Sequence, residues 1–297
     1  MRTTSIESGE FMIAGSNRFY HAFDHIIETA LQEDIGPGDI TTENLIAPGA
    51  MGQGFLVARE PLIVAGIDVA QRVFEVLDPE IETETMFHDG DSVAGREVIL
   101  SVKGKMQVLL MGERTALNFL QRLSGISTFV RSCLFKLKDK DVRLVDTRKT
   151  APGWRVLEKY AVRAGGAENH RMGLFDGVLI KDNHIAACGG VKEAIERIRK
   201  RISHLLKIEV EVSNLSELKE ALAAAADVIM LDNMDIPLIR EAVRIINGKA
   251  KVEVSGGVTK DNLIKLADTG VDIISSGALT HSAGCVDISM SIEAVHS

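Results

Sequence analysis

Hydrophobic positions recur along this chain with two different periods. Phe19, Phe23, Ile26, Ile27 and Ala30 follow helical spacing over 18–31, and the turn-rich EDIGPGDITT ends that helix. The runs 53–64, 69–77, 81–87 and 98–105 then alternate strand-like and helix-like patterns around the turn Asp89-Gly90-Asp91, which predicts a small mixed α/β domain. Val108, Leu109, Met111, Leu117 and Leu120 predict a long joining helix over 107–122. Beyond Arg131 come six short apolar runs, VRLVDT, DGVLIK, KIEVEV, DVIMLD, KVEVS and DIISS, separated by helical spacing. Such βα alternation implies parallel strands and right-handed crossovers, and six repeats suit an open barrel better than a closed eightfold one. The fold class expected is therefore α/β.

Composition narrows this picture. With 297 residues, 45% hydrophobic but only 4% aromatic, burial depends on aliphatic side chains, the usual filling of a parallel sheet covered by helices. A formal net charge of -8 argues against general nucleic-acid binding, which needs an extended positive surface. Cys133, Cys188 and Cys285 show no C-x-x-C spacing, so neither a disulfide framework nor a zinc site is expected and a reducing cytoplasm is. Residues 1–17 show neither a signal peptide's apolar core nor a membrane-length run and read as a disordered or loosely docked extension.

Chemistry concentrates at the ends of the six runs. The first leads into DTRKTAPGWRVLEKYAVRAGGAENHR, which carries seven basic side chains including His170. Arg148 offers a planar fork for a carboxylate, whereas Lys149 is a compact charge suited to phosphate oxygens, so two different anions are expected. Later runs end in Lys181, Glu211, Asp232, Ser255-Gly256-Gly257 and Ser276-Gly277. C-terminal strand ends face the active site in βα barrels. Glycine turns can present N–H groups to a phosphate, while carboxylates accept from ribose hydroxyls or hold a divalent cation. A ribose phosphate fits that division.

These blocks, with GERTALNFLQRLSGIST, GGAENHRMGLFDGVLIKDNHI, VEVSN, LDN, SGG and SGALTHS in order along nearly the whole chain, closely resemble the quinolinate phosphoribosyltransferase family. The resemblance implies an N-terminal α/β sandwich with the linking helix over 18–122, an open barrel over 123–282, and a segment 283–297 returning towards the first domain. It implies phosphoribosyl transfer from phosphoribosyl pyrophosphate to quinolinate with decarboxylation. The products are nicotinate mononucleotide, pyrophosphate and carbon dioxide, with magnesium on the pyrophosphate. Arg148, His170, Arg171 and Lys181 are implied to surround the quinolinate carboxylates, beside Thr147, with Lys149 towards the pyrophosphate. Glu211 and Asp232 match the acidic residues near the ribose, where they act electrostatically or through magnesium. Ser255, Gly256, Gly257, Ser276 and Gly277, with His281 nearby, match the 5′-phosphate turns. Arg114 matches an arginine given across the interface of a homodimer, which in turn can build a hexamer. Lys149, Lys181, Glu211 and Asp232 are the residues expected to serve catalysis. The chain departs from the pattern at Ala167, where a glycine is usual and a positive φ would strain the turn, and at Ser127 in SGIST.

Blander readings stand beside these. Lys181 could be a surface ion-pair partner, His170 and His184 satisfied loop histidines, the 192–201 charge run a solvated helix face, and the cysteines packing residues. Two other functions compete: a Schiff-base aldolase with Lys181 as nucleophile, and a binding role like that of a paralogous family associated with molybdate uptake.

Overall fold

The structure, a computed structural model, describes residues 16–295; the extension expected at 1–17 falls almost wholly outside them. The chain opens with helices α1 (Ser16–Ile35) and α2 (Ile40–Leu45), strands β1 (Met51–Ala58) and β2 (Leu62–Ile63), and helix α3 (Ile67–Leu77). Strands β3 (Glu82–Thr85), β4 (Ser92–Val93) and β5 (Val98–Lys105) follow, then the long helix α4 (Met106–Leu137). Asp39 starts α2 by accepting the N–H groups of Thr41 and Thr42, which otherwise lack partners in a first turn. The run 53–64 holds parts of two strands. Pro61 interrupts it, and β2 leaves the sheet of β1 to pair with β4.

α4 runs well past Arg122, where the sequence reading ended it. Leu123, Ile126, Val130, Cys133 and Leu137 continue the buried face without a break, each apolar side chain contributing about 1.5–3 kcal/mol. SGIST looks like a breaker but serves as a docking strip. Ser124 Oγ accepts from the Ala65 N–H at 3.0 Å, Ser127 Oγ donates to the Ile63 carbonyl at 2.6 Å, and Thr128 Oγ1 accepts from the Ile63 N–H at 2.8 Å. A Cβ on Gly125 would sit 2.0 Å from the Gly284 carbonyl oxygen, so glycine is what lets the C-terminal segment cross the helix. The departure at Ser127 thus gains a buried hydrogen bond.

The second half contains β6 (Arg143–Val145), α5 (Arg155–Ala164), β7 (Val178–Ile180), α6 (Asp182–Cys188), α7 (Val191–Arg199) and β8 (Ile208–Val212). It continues through α8 (Leu215–Ala223), β9 (Val228–Asp232), α9 (Ile236–Ile246), β10 (Lys251–Ser255), α10 (Leu263–Ala267), β11 (Ile273–Ser275), α11 (Ala278–His281) and β12 (Ile288–Ala294). All six expected strands form one parallel sheet in the order β6-β11-β10-β9-β8-β7. β6 and β7 are its two edges, so the barrel is open between them. A separate antiparallel sheet, β12-β1-β5-β3, brings the last strand back onto the first domain. Within the barrel, residues two apart share a face: Glu209 and Glu211 point the same way, as do Glu253 and Ser255.

The open seam is partly filled by the segment after α5. Glu168 bridges Val145 in parallel fashion, with its N–H on Leu144 O and its carbonyl accepting from Asp146 N. The positive φ of this turn falls at Gly166, at 101°, and not at Ala167, so the alanine departure carries no backbone strain.

Candidate active site

Beneath the seam segment lies an ion pair withdrawn from water. Lys159 and Asp146, both 0% exposed, are directly hydrogen-bonded. Lys159 also donates to the His170 carbonyl at 2.9 Å, and Asp146 accepts from Asn169 Nδ2 at 2.6 Å and from the His170 N–H at 2.9 Å. A buried carboxylate and ammonium are tolerated only when paired and saturated with further bonds. Here those further bonds fix the Asn169-His170-Arg171 turn. Sequence reasoning placed Asp146 in the motif but missed Lys159 and Asn169 as its partners; a lysine on the apolar face of α5 is the signal that was available.

A cleft of about 510 Å³ opens at the C-terminal strand ends. Thr147, Arg148, Lys149, His170, Arg171, Lys181, Glu211, Asp232, Ser255, Gly256 and Gly257 all line it, as the sequence predicts, and Asn233 and Met230 join them. Arg148 and Arg171 come from opposite sides of the seam. Burial and then the neighbouring Arg148 charge hold the Arg171 guanidinium below its ordinary pKa, and Arg148 Nε is buried with no hydrogen-bond partner among the described residues. Two cations facing each other with a donor unspent call for a dianion. Lys181, from the end of β7, donates to Glu211 Oε2 at 2.8 Å. It is half exposed and ion-paired, without the apolar desolvated pocket that a Schiff-base nucleophile needs.

On the far side, Asn233 has φ 52° and Gly256 φ 86°. A Cβ on Gly256 would lie 2.3 Å from Asn233 Oδ1, so only glycine lets these turns touch. The Gly256 and Gly257 N–H groups find no protein acceptor among the described residues, which leaves them for a ligand. Gly277 packs on the Lys149 stem, where a Cβ would meet Lys149 Cδ at 2.7 Å, and Thr280 Oγ1 donates to the Lys149 carbonyl at 2.7 Å. Lys149 is thereby held beside the second glycine turn.

Four expected site residues stand differently from the sequence reading. Ser276 is turned inward, its hydroxyl donating to Val258 O at 3.3 Å and its N–H to Val145 O at 3.0 Å, because it continues the ladder between β11 and β6. His281 is exposed beside Gly277, its Nδ1 engaged with Ser282 Oγ at 2.7 Å. His170 touches the cleft, yet both ring nitrogens face protein: Nδ1 accepts from the Arg171 N–H at 2.8 Å and Nε2 lies 3.0 Å from Glu209 Oε2. Arg114, exposed on α4, is not among the residues lining the cleft of its own chain. His184 accepts from the Lys181 N–H at 3.0 Å, a helix cap.

An open barrel with a cationic pair, two mouth carboxylates and paired glycine turns defines an enzyme of the phosphoribosyl-transfer class, built for a small acid beside a phosphorylated sugar. The chain belongs to the quinolinate phosphoribosyltransferase family: the models "Quinolinate phosphoribosyl transferase, N-terminal domain" and "C-terminal domain" match residues 39–124 and 126–291. It is similar to a probable nicotinate-nucleotide pyrophosphorylase (carboxylating) of Methanocaldococcus jannaschii, 48% identical over 90% of this chain and 96% of that one. A Bacillus subtilis protein of the same name is 45% identical over 88% and 90%. Among solved structures, NadC from Streptococcus pyogenes superposes with a TM-score of 0.89 at 39% identity, covering 93% of this chain and 98% of that one. These relatives leave the molybdate-associated binding role without support.

Proposed function

We infer that the protein transfers the phosphoribosyl group of phosphoribosyl pyrophosphate to the ring nitrogen of quinolinate, releasing pyrophosphate and carbon dioxide and forming nicotinate mononucleotide for de novo NAD synthesis. The observation that carries this reading is the Arg148–Arg171 pair, with its unspent Nε donor, in one cleft with the glycine turns. The two guanidiniums and Lys181 take the adjacent carboxylates of the pyridine ring, leaving its nitrogen facing the anomeric carbon. The Gly256 and Gly257 N–H groups take the 5′-phosphate, with Gly277 nearby, and Lys149 takes the leaving pyrophosphate. Glu211 and Asp232 flank the ribose, where their charge stabilises the oxocarbenium-like transition state. Once the sugar is attached, the positive charge on the adjacent ring nitrogen stabilises the electron pair left on the ring carbon as carbon dioxide departs, and that carbon then takes up a proton.

Magnesium would be held where the pyrophosphate meets the acidic side of the cleft. Glu211 and Asp232, at the ends of adjacent strands, offer the oxygen donors a hard dication prefers, so the residues fit; the ion's contribution would be to neutralise pyrophosphate oxygens. We assign the protein to the cytoplasm, where the free thiols of Cys133, Cys188 and Cys285 persist; no described helix is long and apolar enough to cross a membrane. The functional unit is a homodimer in which Arg114, outside its own cleft, reaches that of the second copy. The deciding assay is incubation with quinolinate, phosphoribosyl pyrophosphate and magnesium, reading nicotinate mononucleotide and carbon dioxide. Product from nicotinate but none from quinolinate would overturn the substrate assignment.

A further inference from the structure

Directly below the cleft floor sits a cluster that the reaction as described does not use. His170 Nε2 lies 3.0 Å from Glu209 Oε2 and 3.7 Å from Glu253 Oε1, and one donor atom from each of the three lies within 4.8 Å of the others. Glu209 comes from β8 and Glu253 from β10, at inward positions one layer beneath Glu211 and Ser255. Glu253 is 2% exposed, and the Oε1 atoms of both carboxylates lack a hydrogen-bond partner among the described residues.

A His with two carboxylates suggests a metal, but the ring's own bonds oppose it. Nδ1 accepts the Arg171 N–H, so its lone pair is engaged and the imidazole proton sits on Nε2, the atom that faces the carboxylates. An Nε2 that carries a proton donates; it does not ligate. Neighbouring cations give the pair charge but no hydrogen bond: Arg143 binds Glu168, Lys159 binds Asp146 and the His170 carbonyl, and Arg171 donates to Gly177 O at 3.0 Å. What the geometry leaves is a chain of donors and acceptors. Burial, and then the Glu209 charge, push the Glu253 carboxyl up to about 7, which lets it act as a donor to Glu209. Burial alone would depress the His170 imidazole, and the bond and charge of Glu209, with Glu253, outweigh it.

We propose that Glu209 and Glu253 are positioning residues for the dicarboxylate half of the site: they hold His170 as its Nε2–H tautomer, so that Nδ1 fixes the Arg171 N–H and the Arg171 guanidinium is presented opposite Arg148. The seam explains the need. β7 is an edge strand and gives the turn bearing Arg171 no ladder from β6, so the turn depends on side-chain bonds: Asp146 and Lys159 hold its start, Asp176 accepts the Met172 and Gly173 N–H groups beyond it, and this chain of bonds fixes the Arg171 N–H itself. The inference rests on quinolinate binding between Arg148 and Arg171, but its first test does not.

That test is nitrogen NMR of isotope-labelled imidazoles in the whole protein, with His170→Gln assigning the signal. The expected spectrum shows His170 protonated on Nε2 with a bare Nδ1; a proton on Nδ1 alone would overturn the proposal whatever the substrate is. The second test is steady-state kinetics. Glu253→Gln supplies a neutral N–H donor in place of the carboxyl and should leave the quinolinate KM within about threefold, whereas Glu253→Leu should raise it about tenfold or more with the phosphoribosyl pyrophosphate KM nearly unchanged. Parallel rises in both KM values, or no rise with Leu, would count against positioning. If Glu253→Leu does not fold, Glu209→Gln carries the same comparison: it keeps an acceptor for His170 while removing the charge, and an unchanged tautomer with a raised quinolinate KM would refute the link between the two. Loss of quinolinate turnover in the wild-type protein would sink the substrate reading while leaving the tautomer result standing.

Discussion

Replacing Arg171 by alanine separates the two halves of the cleft. In the free protein the guanidinium makes one bond to the Gly177 carbonyl and faces the like charge of Arg148. Its removal therefore costs folding little, because the lost bond is offset by relief of repulsion. In the proposed binding mode the same group would contribute charge-assisted hydrogen bonds to quinolinate worth about 1.5–3 kcal/mol. Arg148 and Lys181 remain to hold the second carboxylate, so the net loss is set at about 2 kcal/mol, or roughly thirtyfold in quinolinate affinity. Gly256, Gly257 and Lys149 lie across the cleft and keep their geometry, so phosphoribosyl pyrophosphate should bind as before. Calorimetric titration of each ligand, with a thermal melt of the free variant, provides the measurement. Equal losses for both ligands, or a melting temperature several degrees lower in the free variant, would refute the reasoning.

Four further outcomes follow from the same geometry. Lys159→Met strands the buried Asp146 carboxylate and should destabilise the fold by about 3–5 kcal/mol by denaturant titration, with Lys159→Met/Asp146→Asn recovering part of the loss. Because the Glu253 pKa is raised in the folded state from 4.5 to about 7, the native protein holds a proton that the unfolded chain has released. Stability from this group is therefore full below about pH 4.5 and lost as pH rises to about 7, a change on the order of 3 kcal/mol at most, which Glu253→Gln should flatten in melts across that range. Gly256→Ala forces a Cβ against Asn233 at φ 86° and should weaken phosphoribosyl pyrophosphate binding about tenfold or more while sparing quinolinate; unchanged binding would remove the turn from the phosphate site. Mixing inactive Arg114→Ala and Lys149→Ala subunits should restore activity in confirmed mixed dimers, and persistent inactivity would argue against a shared site.

Much of this architecture is legible from local pattern. The six apolar runs locate the six barrel strands because alternating or continuous apolar stretches bounded by turn residues specify strand position without reference to distant contacts. α4 shows the limit. Its continuation through SGIST brings Ser127 to Ile63 of β2, Ser124 to Ala65 beyond it, and Gly125 against Gly284, and those partners are remote in sequence. Ser276 shows another: a motif position does not say whether a side chain faces the cleft or the sheet behind it. Glu209 and Glu253 were readable in part, since each is two residues from an expected site residue and must share its face, but their meeting at His170 was not.

The sequence by itself determined the parallel α/β architecture, the strand ends that would carry charge, and the glycines of the strand-end turns, because strand periodicity and backbone freedom are properties of neighbouring residues. Only the tertiary structure decided that Arg148 confronts Arg171, that the open seam is held by Asp146 and Lys159, and that His170 turns its Nε2 towards two buried carboxylates. Those facts depend on strand order and on side chains brought together from remote positions, where desolvation makes each unpaired charge matter.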